Sequence, residues 1–200
     1  MWIDFEGKAY EKGFKKPVGL DEAGRGCLAG PVVASACYIS PGVKIPGITD
    51  SKVLTQAKRE KLYFQMKEHA EVDFGVYAIA NEEIDVINIL QASMKAMLFA
   101  AGKLIQAPDY LLIDGNCAPE TDIETETIVK GDRKVYSIAA ASVIAKHTRD
   151  QIMIQYHERY PEYGFDKHKG YGTKKHIEAI EKFGPCPIHR MTFAPLSTRG

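Results

Sequence analysis

The chain has 200 residues, 45% of them hydrophobic, with 26 basic and 26 acidic side chains, enough for one or two compact domains around a true core. No stretch approaches the roughly 18 consecutive apolar residues of a membrane span, and no basic-then-apolar leader opens it, so a soluble, cytoplasmic, monomeric chain is expected. The four cysteines, Cys27, Cys37, Cys117 and Cys186, form no CxxC or CxxH pair, which argues against zinc and for free thiols.

Charge is unevenly spread. Residues 1–129 carry 13 Lys and Arg against 19 Asp and Glu, whereas residues 130–200 carry 13 against 7. A basic final third behind an acidic remainder suits a protein that meets a polyanion with one part and metal cations with another.

In chain order, residues 1–16 are mixed and charged without a clean period, and read as a tail or edge segment laid on the domain. The stretch 17–39, PVGLDEAGRGCLAGPVVASACYI, reads as a hairpin with Asp21 and Glu22 near its tip. Successive strand residues face opposite ways, so both acids serve one site only if the strand ends or bends there. Gly24, Gly26 and Gly30 supply such a bend and allow close backbone approach to a ligand; the alternative is an ordinary hairpin with two solvated acids.

Residues 40–54 form a Pro/Gly loop ending in Asp50-Ser51-Lys52, and 55–70 an amphipathic helix with Leu62, Met66 and Ala70 on one face. Residues 72–80 have strand composition, and Asn81 is placed to cap a helical turn bearing Glu82 and Glu83. Residues 87–105 read as an apolar helix ended by Pro108. Residues 110–113 read as a strand covered on both faces that stops at Asp114-Gly115-Asn116. A carboxylate at a strand end repeats the arrangement at Asp21, and in α/β sheets ligands sit beyond strand ends. An acidic loop, 117–126, leads to a short strand at 127–129 and then to Lys130-Gly131-Asp132. Residues 137–152 read as an alanine-rich helix with Ser142 and Lys146 one turn apart. In the basic, aromatic final third, Thr173 caps a helix to about residue 183, stopped by Gly184 and Pro185.

These elements predict a mixed α/β sheet with helices on both faces and a helical C-terminal extension. If Asp21, Glu22, Asp114 and Asp132 converge, their charges need compensation, because two charges ~4 Å apart at an effective dielectric of ~20 repel by about 4 kcal/mol. Oxygen-only ligands select Mg²⁺ or Mn²⁺, and two such ions suit in-line phosphodiester hydrolysis.

The runs GLDEAGRG (19–26), AGPVVASA (29–36), DSKVL (50–54), LLIDGN (111–116), VKGD (129–132), SIAAASVIAKHTRD (137–150) and YGFDKHKGYGT (163–173) together make the sequence resemble bacterial ribonuclease HII. The resemblance implies a ribonuclease H-like mixed five-stranded sheet flanked by helices over 17–160 and a basic, substrate-binding extension over 161–200. It implies a Mg²⁺- or Mn²⁺-dependent endonuclease that cuts the RNA strand of RNA/DNA hybrids and nicks DNA duplexes 5′ of embedded ribonucleotides. By motif position Asp21, Glu22, Asp114 and Asp132 resemble the family's catalytic, metal-holding acids. Asp150 competes for the fourth place, but a salt bridge with Arg149 or a neighbour is its expected use. Gly24-Arg25-Gly26 resembles the loop that engages the 2′-hydroxyl, and Tyr171 the tyrosine that stacks on the following deoxyribose; a core tyrosine is the alternative. Lys52, Lys146, Lys169 and Arg190 are candidate phosphate contacts. His168 and His189 fall in family-like motifs, while the other histidines are expected at the surface. Cys27 stands where the family commonly has Pro, and is read as inert rather than oxidation-sensitive. Two other readings are a different nuclease on the same fold, such as a resolvase, and a binding module whose acids are structural.

Overall fold

A computed structural model describes residues 2–48 and 54–198, so Lys52 and the Asp50-Ser51-Lys52 run lie outside the described residues. One five-stranded sheet organises the chain, with β1 (Pro17–Ala23), β2 (Val32–Ile39), β3 (Val72–Ile79), β4 (Tyr110–Asp114) and β5 (Glu124–Ile128) in the order β3-β2-β1-β4-β5. The hairpin β1–β2 and the pair β2–β3 are antiparallel, while β1–β4 and β4–β5 are parallel, as a mixed sheet requires.

Strand parity decides which helix each residue meets. Val18 and Leu20 of β1, with Leu111 and Ile113 of β4, pack against Ala96, Met97 and Ala100 of α3 (Asn81–Ala101). The alternate residues face α4 (Tyr136–Arg159), whose Ile138 meets Leu112 and whose Ala139 to Ile144 cover Cys37 and Ile39 together with α2 (Gln56–Glu68). Gly19 occupies the closest point: a Cβ there would lie 2.3 Å from main-chain atoms of Ser137 and Ile138. β4, beside the central β1, is thus buried on both faces along residues 110–113, as its unbroken apolar run predicts, and each fully buried Leu or Ile contributes about 1.5–3 kcal/mol. α3 is the one helix among the described residues long and apolar enough to cross a membrane, and it lies on the sheet instead.

Several boundaries differ from the sequence reading. Residues 1–16 are not merely a tail, because they contain α1 (Phe5–Glu11), capped by Asp4 and docked through buried Ala9. The Glu6 carboxylate of α1 accepts from Ser137 N at 2.8 Å and Oγ at 2.7 Å, supplying the α4 N-terminus with a cap its own Val135 cannot provide. Asn81 does not cap α3; its amide donates to the carbonyls of Pro187 and His189. The capping residue is Asn88, non-helical at φ 66°, whose Oδ1 accepts from Leu90 N and Gln91 N where the helix is interrupted. β5 begins at Glu124, inside the stretch read as an acidic loop, and α4 runs on to Arg159.

The C-terminal extension contains α5 (Phe165–His168) and α6 (Lys174–Phe183), the latter capped by Thr173 as expected. It packs onto the turn after β1: Leu28 and Ala29 share a cluster with Phe165 and Ile180, and isolated bridges join Cys27 to Tyr171 and Ala29 to His189. The extension and the β1–β2 turn therefore form one body.

Candidate active site

Asp21 and Asp114 are brought together by register. Gly19 pairs with Leu112 and Leu20 with Ile113, so the next rung places Asp21 beside Asp114 on neighbouring parallel strands, where strands lie about 4.8 Å apart. Both share the parity of Gly19 and point toward α4. Ser142 of that helix donates a hydrogen bond to Asp21. Of the two possibilities in the sequence reading, that the strand ends or bends at the acids, the first does not hold: β1 continues against β2 to Ala23, while its pairing with β4 ends at Leu20. Beyond that point Glu22 is released to reach the same pocket despite its opposite parity.

That pocket, of about 240 Å³, is lined by Asp21, Glu22, Asp114, Ser142, Lys146, Tyr171 and the Gly24-Arg25-Gly26 turn. Burial, reinforced by the charges of Glu22 and Asp114, pushes the Asp21 carboxyl well above the usual carboxylate range. Burial also raises Glu22, opposed by Arg25, which pairs with it at 3.2 Å. Asp21 accepts from Glu22 N at 2.7 Å, and Asp114 accepts from Gly131 N at 2.6 Å. Asp132, the expected fourth acid, is buried in the 3₁₀ turn Gly131–Arg133 that supplies this bond and does not itself line the pocket. Among the described residues no three His, Cys, Asp or Glu side chains already stand in coordinating geometry, and Glu22 must exchange Arg25 for an ion to serve one. An all-oxygen set of crowded, half-desolvated carboxylates nonetheless fits a hard divalent cation, which relieves their mutual repulsion.

The turn is built from behind. Gly24 has φ 99°, and a Cβ there would lie 2.0 Å from Arg149 Nε, so neither its conformation nor its space admits a side chain. Gly26 differs: a Cβ would meet nothing within 4 Å, and its glycine leaves the pocket mouth open. Arg190, expected as a phosphate contact, is fully buried and cannot be one. Its guanidinium donates to the carbonyls of Gly24 at 2.7 Å, Arg25 at 2.9 Å and Gly30 at 3.0 Å. Arg149, read from the sequence only as a partner for Asp150, does the same for Ala29, Pro31 and Lys169 at 2.8–3.1 Å. Nothing local in the run Lys146-His147-Thr148-Arg149-Asp150 signals that role.

Asp150 is an ion-pair residue, although its partners are Arg59 at 3.0 Å and Lys146 at 2.7 Å rather than Arg149. Lys146 and Tyr171 also line a second, adjoining cleft of about 440 Å³ with Arg59, Lys167 and Lys169. Lys169 reaches that cleft with most of its side chain buried and its amine on the Asp166 carbonyl. Tyr171 is half-exposed rather than a core tyrosine, and the Lys146 amine lies 5.7 Å from its ring centre. Its hydroxyl shares a hydrogen bond with Cys27, whose thiol is buried and is pushed up by that burial. The expectation of surface positions fails for His176, which is fully buried against His189, and for His147, which is buried and stacked on Tyr63.

Residues 18–196 match the family model for ribonuclease HII. The chain is 56% identical over 189 residues to ribonuclease HII of Clostridioides difficile (strain 630), covering 94% of this chain and 74% of that protein. Its fold is similar to the crystal structure of ribonuclease H2 from Pyrococcus horikoshii OT3, with a TM-score of 0.75, 27% identity and coverage of 92% of this chain and 96% of that one. It is also similar, with a TM-score of 0.66 and 19% identity, to Bst-RNase HIII in complex with Mn²⁺, over 94% of this chain and 70% of that one. With its acids gathered at the ends of β1 and β4 and its match running almost end to end, the chain belongs to the ribonuclease HII family and is a ribonuclease H hydrolase.

Proposed function

We propose that this enzyme cuts the RNA strand of RNA/DNA hybrids and nicks duplex DNA 5′ of an embedded ribonucleotide, leaving a 3′-hydroxyl and a 5′-phosphate. The observation that supports this most directly is a single pocket lined by three carboxylates together with a glycine turn and a half-exposed tyrosine. Asp21, Glu22 and Asp114, with Asp132 behind them, would hold Mg²⁺ or Mn²⁺; the Mn²⁺ complex of Bst-RNase HIII, a protein of the same fold, is in keeping with that choice. Two such ions, when bound, supply charge neutralisation at the scissile phosphate and a water acidic enough to attack it in line.

The chain's own groups do the recognition. A 2′-hydroxyl both donates and accepts, and the main chain of Gly24-Arg25-Gly26 offers both kinds of partner on a turn held from behind by Arg190 at the Gly24 and Arg25 carbonyls. The exposed face of Tyr171 is free to stack on the sugar that follows the ribonucleotide. Lys146 and Lys169 carry positive charge into the adjoining cleft, where the backbone phosphates would run.

The test is nicking of a labelled duplex carrying one ribonucleotide, mapped to the nucleotide, with and without Mn²⁺. A cut 5′ of the ribonucleotide that vanishes in an all-DNA duplex is the expected result. Equal cleavage of the all-DNA duplex would transfer the protein to another nuclease class, since no 2′-hydroxyl is then being read.

A further inference from the structure

Three histidines of the C-terminal extension lie in one buried cluster outside the acidic pocket. His176 and His189 are almost completely buried with Nε2 atoms 3.1 Å apart, and His168 stacks on His176 with ring centres 4.4 Å apart. The protonation of this chain is dictated from both ends. His189 Nδ1 meets three groups of Cys186, its N–H at 2.9 Å, its thiol at 3.1 Å and its carbonyl at 3.2 Å; the nearest can only donate and the thiol can donate too, which assigns the lone pair to Nδ1 and the proton to Nε2. At the other end His176 Nδ1 lies 2.9 Å from the Tyr171 carbonyl, which only accepts, so the proton of His176 is on Nδ1 and its Nε2 is bare. The two assignments agree at the junction, where His189 Nε2–H donates to His176 Nε2.

His168 completes the arrangement. Its Nδ1 accepts from Gly170 N at 3.2 Å, its Nε2 donates to the Tyr163 carbonyl at 2.8 Å, and its own carbonyl accepts from Tyr171 N at 3.0 Å. The Tyr171 carbonyl is therefore held by the His176 imidazole and by Thr173 N at 2.8 Å, and its N–H by the main-chain carbonyl of His168, while its side chain stands at the pocket.

We infer that His176 is a positioning residue for Tyr171, and that the directed relay from Cys186 N–H through His189 and His176 to the Tyr171 carbonyl presets this tyrosine for the nucleic acid. The inference rests on the reading of Tyr171 as a substrate contact. A protonated His176 would set two N–H groups head to head at Nε2, so the relay works only with His176 neutral. The groups facing the pair are consistent with neutrality: Phe165, His168, Tyr163 and Cys186 surround it, and the nearest charges, Lys169 and Asp166, lie on the His168 side. Burial accordingly lowers all three histidines, His176 to about 4.

Two measurements test it. Imidazole nitrogen NMR of the wild-type protein at pH 7 should show His176 protonated on Nδ1 and His189 on Nε2; the opposite tautomer or an imidazolium at either residue would overturn the relay. In parallel, the rate on a one-ribonucleotide duplex relative to a continuous hybrid is compared for His176→Leu, His176→Asn and Tyr171→Ala. His176→Leu should lower that ratio roughly tenfold, His176→Asn should recover most of it because its amide can replace Nδ1–H, and Tyr171→Ala combined with His176→Leu should be no worse than Tyr171→Ala alone. A folded His176→Leu protein with the wild-type ratio would sink the inference while leaving the role of Tyr171 intact. If Tyr171→Ala itself changes nothing, the substrate reading of Tyr171 has failed and the positioning role goes with it. Should His176→Leu not fold, the wild-type spectrum decides alone.

Discussion

Replacing Arg190 by Lys separates two roles that the sequence alone leaves indistinguishable. A phosphate contact needs only the charge, and lysine would keep it. A buried fork needs three nitrogens, because Nε, Nη1 and Nη2 each serve a different carbonyl, of Gly30, Arg25 and Gly24 respectively. A single ammonium can serve one of these acceptors well, and the other two are left buried without a donor at a cost of about 1–3 kcal/mol each. The expected loss is about 2–6 kcal/mol, or roughly 5 to 20 °C in melting temperature for a chain of this size. The same change frees the Gly24 and Arg25 carbonyls, so selectivity for a ribonucleotide over DNA should fall along with stability. Denaturant melts and paired cleavage assays on Arg190→Lys check both. A variant that melts within about 2 °C of wild type and changes only its salt dependence would show that Arg190 touches the substrate, and the scaffolding role would be wrong.

Asp21→Asn should reduce hybrid cleavage by more than about 100-fold, beyond what loss of an outer-sphere partner typically causes, yet stabilise the metal-free protein. Because the folded Asp21 carboxyl titrates above its unfolded value, its stabilising contribution is complete below the unfolded range near pH 4 and is lost as pH rises through the folded one, so the mutant's advantage in EDTA should grow from pH 4 to pH 7.5. A less stable mutant at pH 7.5 would contradict this. Lys146→Ala should flatten the salt dependence of substrate binding by about one unit of slope while leaving Asp150 paired with Arg59, measured by fluorescence anisotropy across a salt series. Gly19→Ala should cost several kcal/mol or prevent folding, since the new methyl meets the α4 main chain at 2.3 Å and backbone cannot swing aside; soluble, wild-type-like protein would disprove the contact.

What could be seen in the sequence was whatever depends on local period and on strand ends. The continuous apolar run at 110–113 announced a sheet covered on both faces, and the carboxylates at Asp21 and Asp114 announced the pocket. Features held by distant partners stayed hidden. The seven residues of α1 carry too little pattern to declare themselves, and half of what anchors them is Ser137, 131 positions away from Glu6. β5 is an edge strand with mostly polar, partly exposed side chains, so it reads as an acidic loop until β4 pairs with it. Arg190 and His176 look like surface residues because nothing local shows that carbonyls from the β1–β2 turn will close over the first, or Phe165 and His189 over the second.

The two sides of the pocket call for opposite electrostatics, and the choice of partners for the buried arginines reconciles them. Had Arg149 and Arg190 been paired with carboxylates, as buried cations commonly are, their fields would have been cancelled and more negative charge would stand near Asp21 and Asp114. Among the described residues their hydrogen bonds go instead to neutral main-chain carbonyls, six in all, so both positive charges survive directly beneath the turn. An anionic backbone laid over Gly24-Arg25-Gly26 is attracted from below, while the acids at the strand ends, a few residues away, repel it until cations intervene. Close binding of a phosphodiester is thereby made conditional on the ions that cleave it, and metal-free enzyme should hold the duplex through the basic cleft without seating the scissile phosphate.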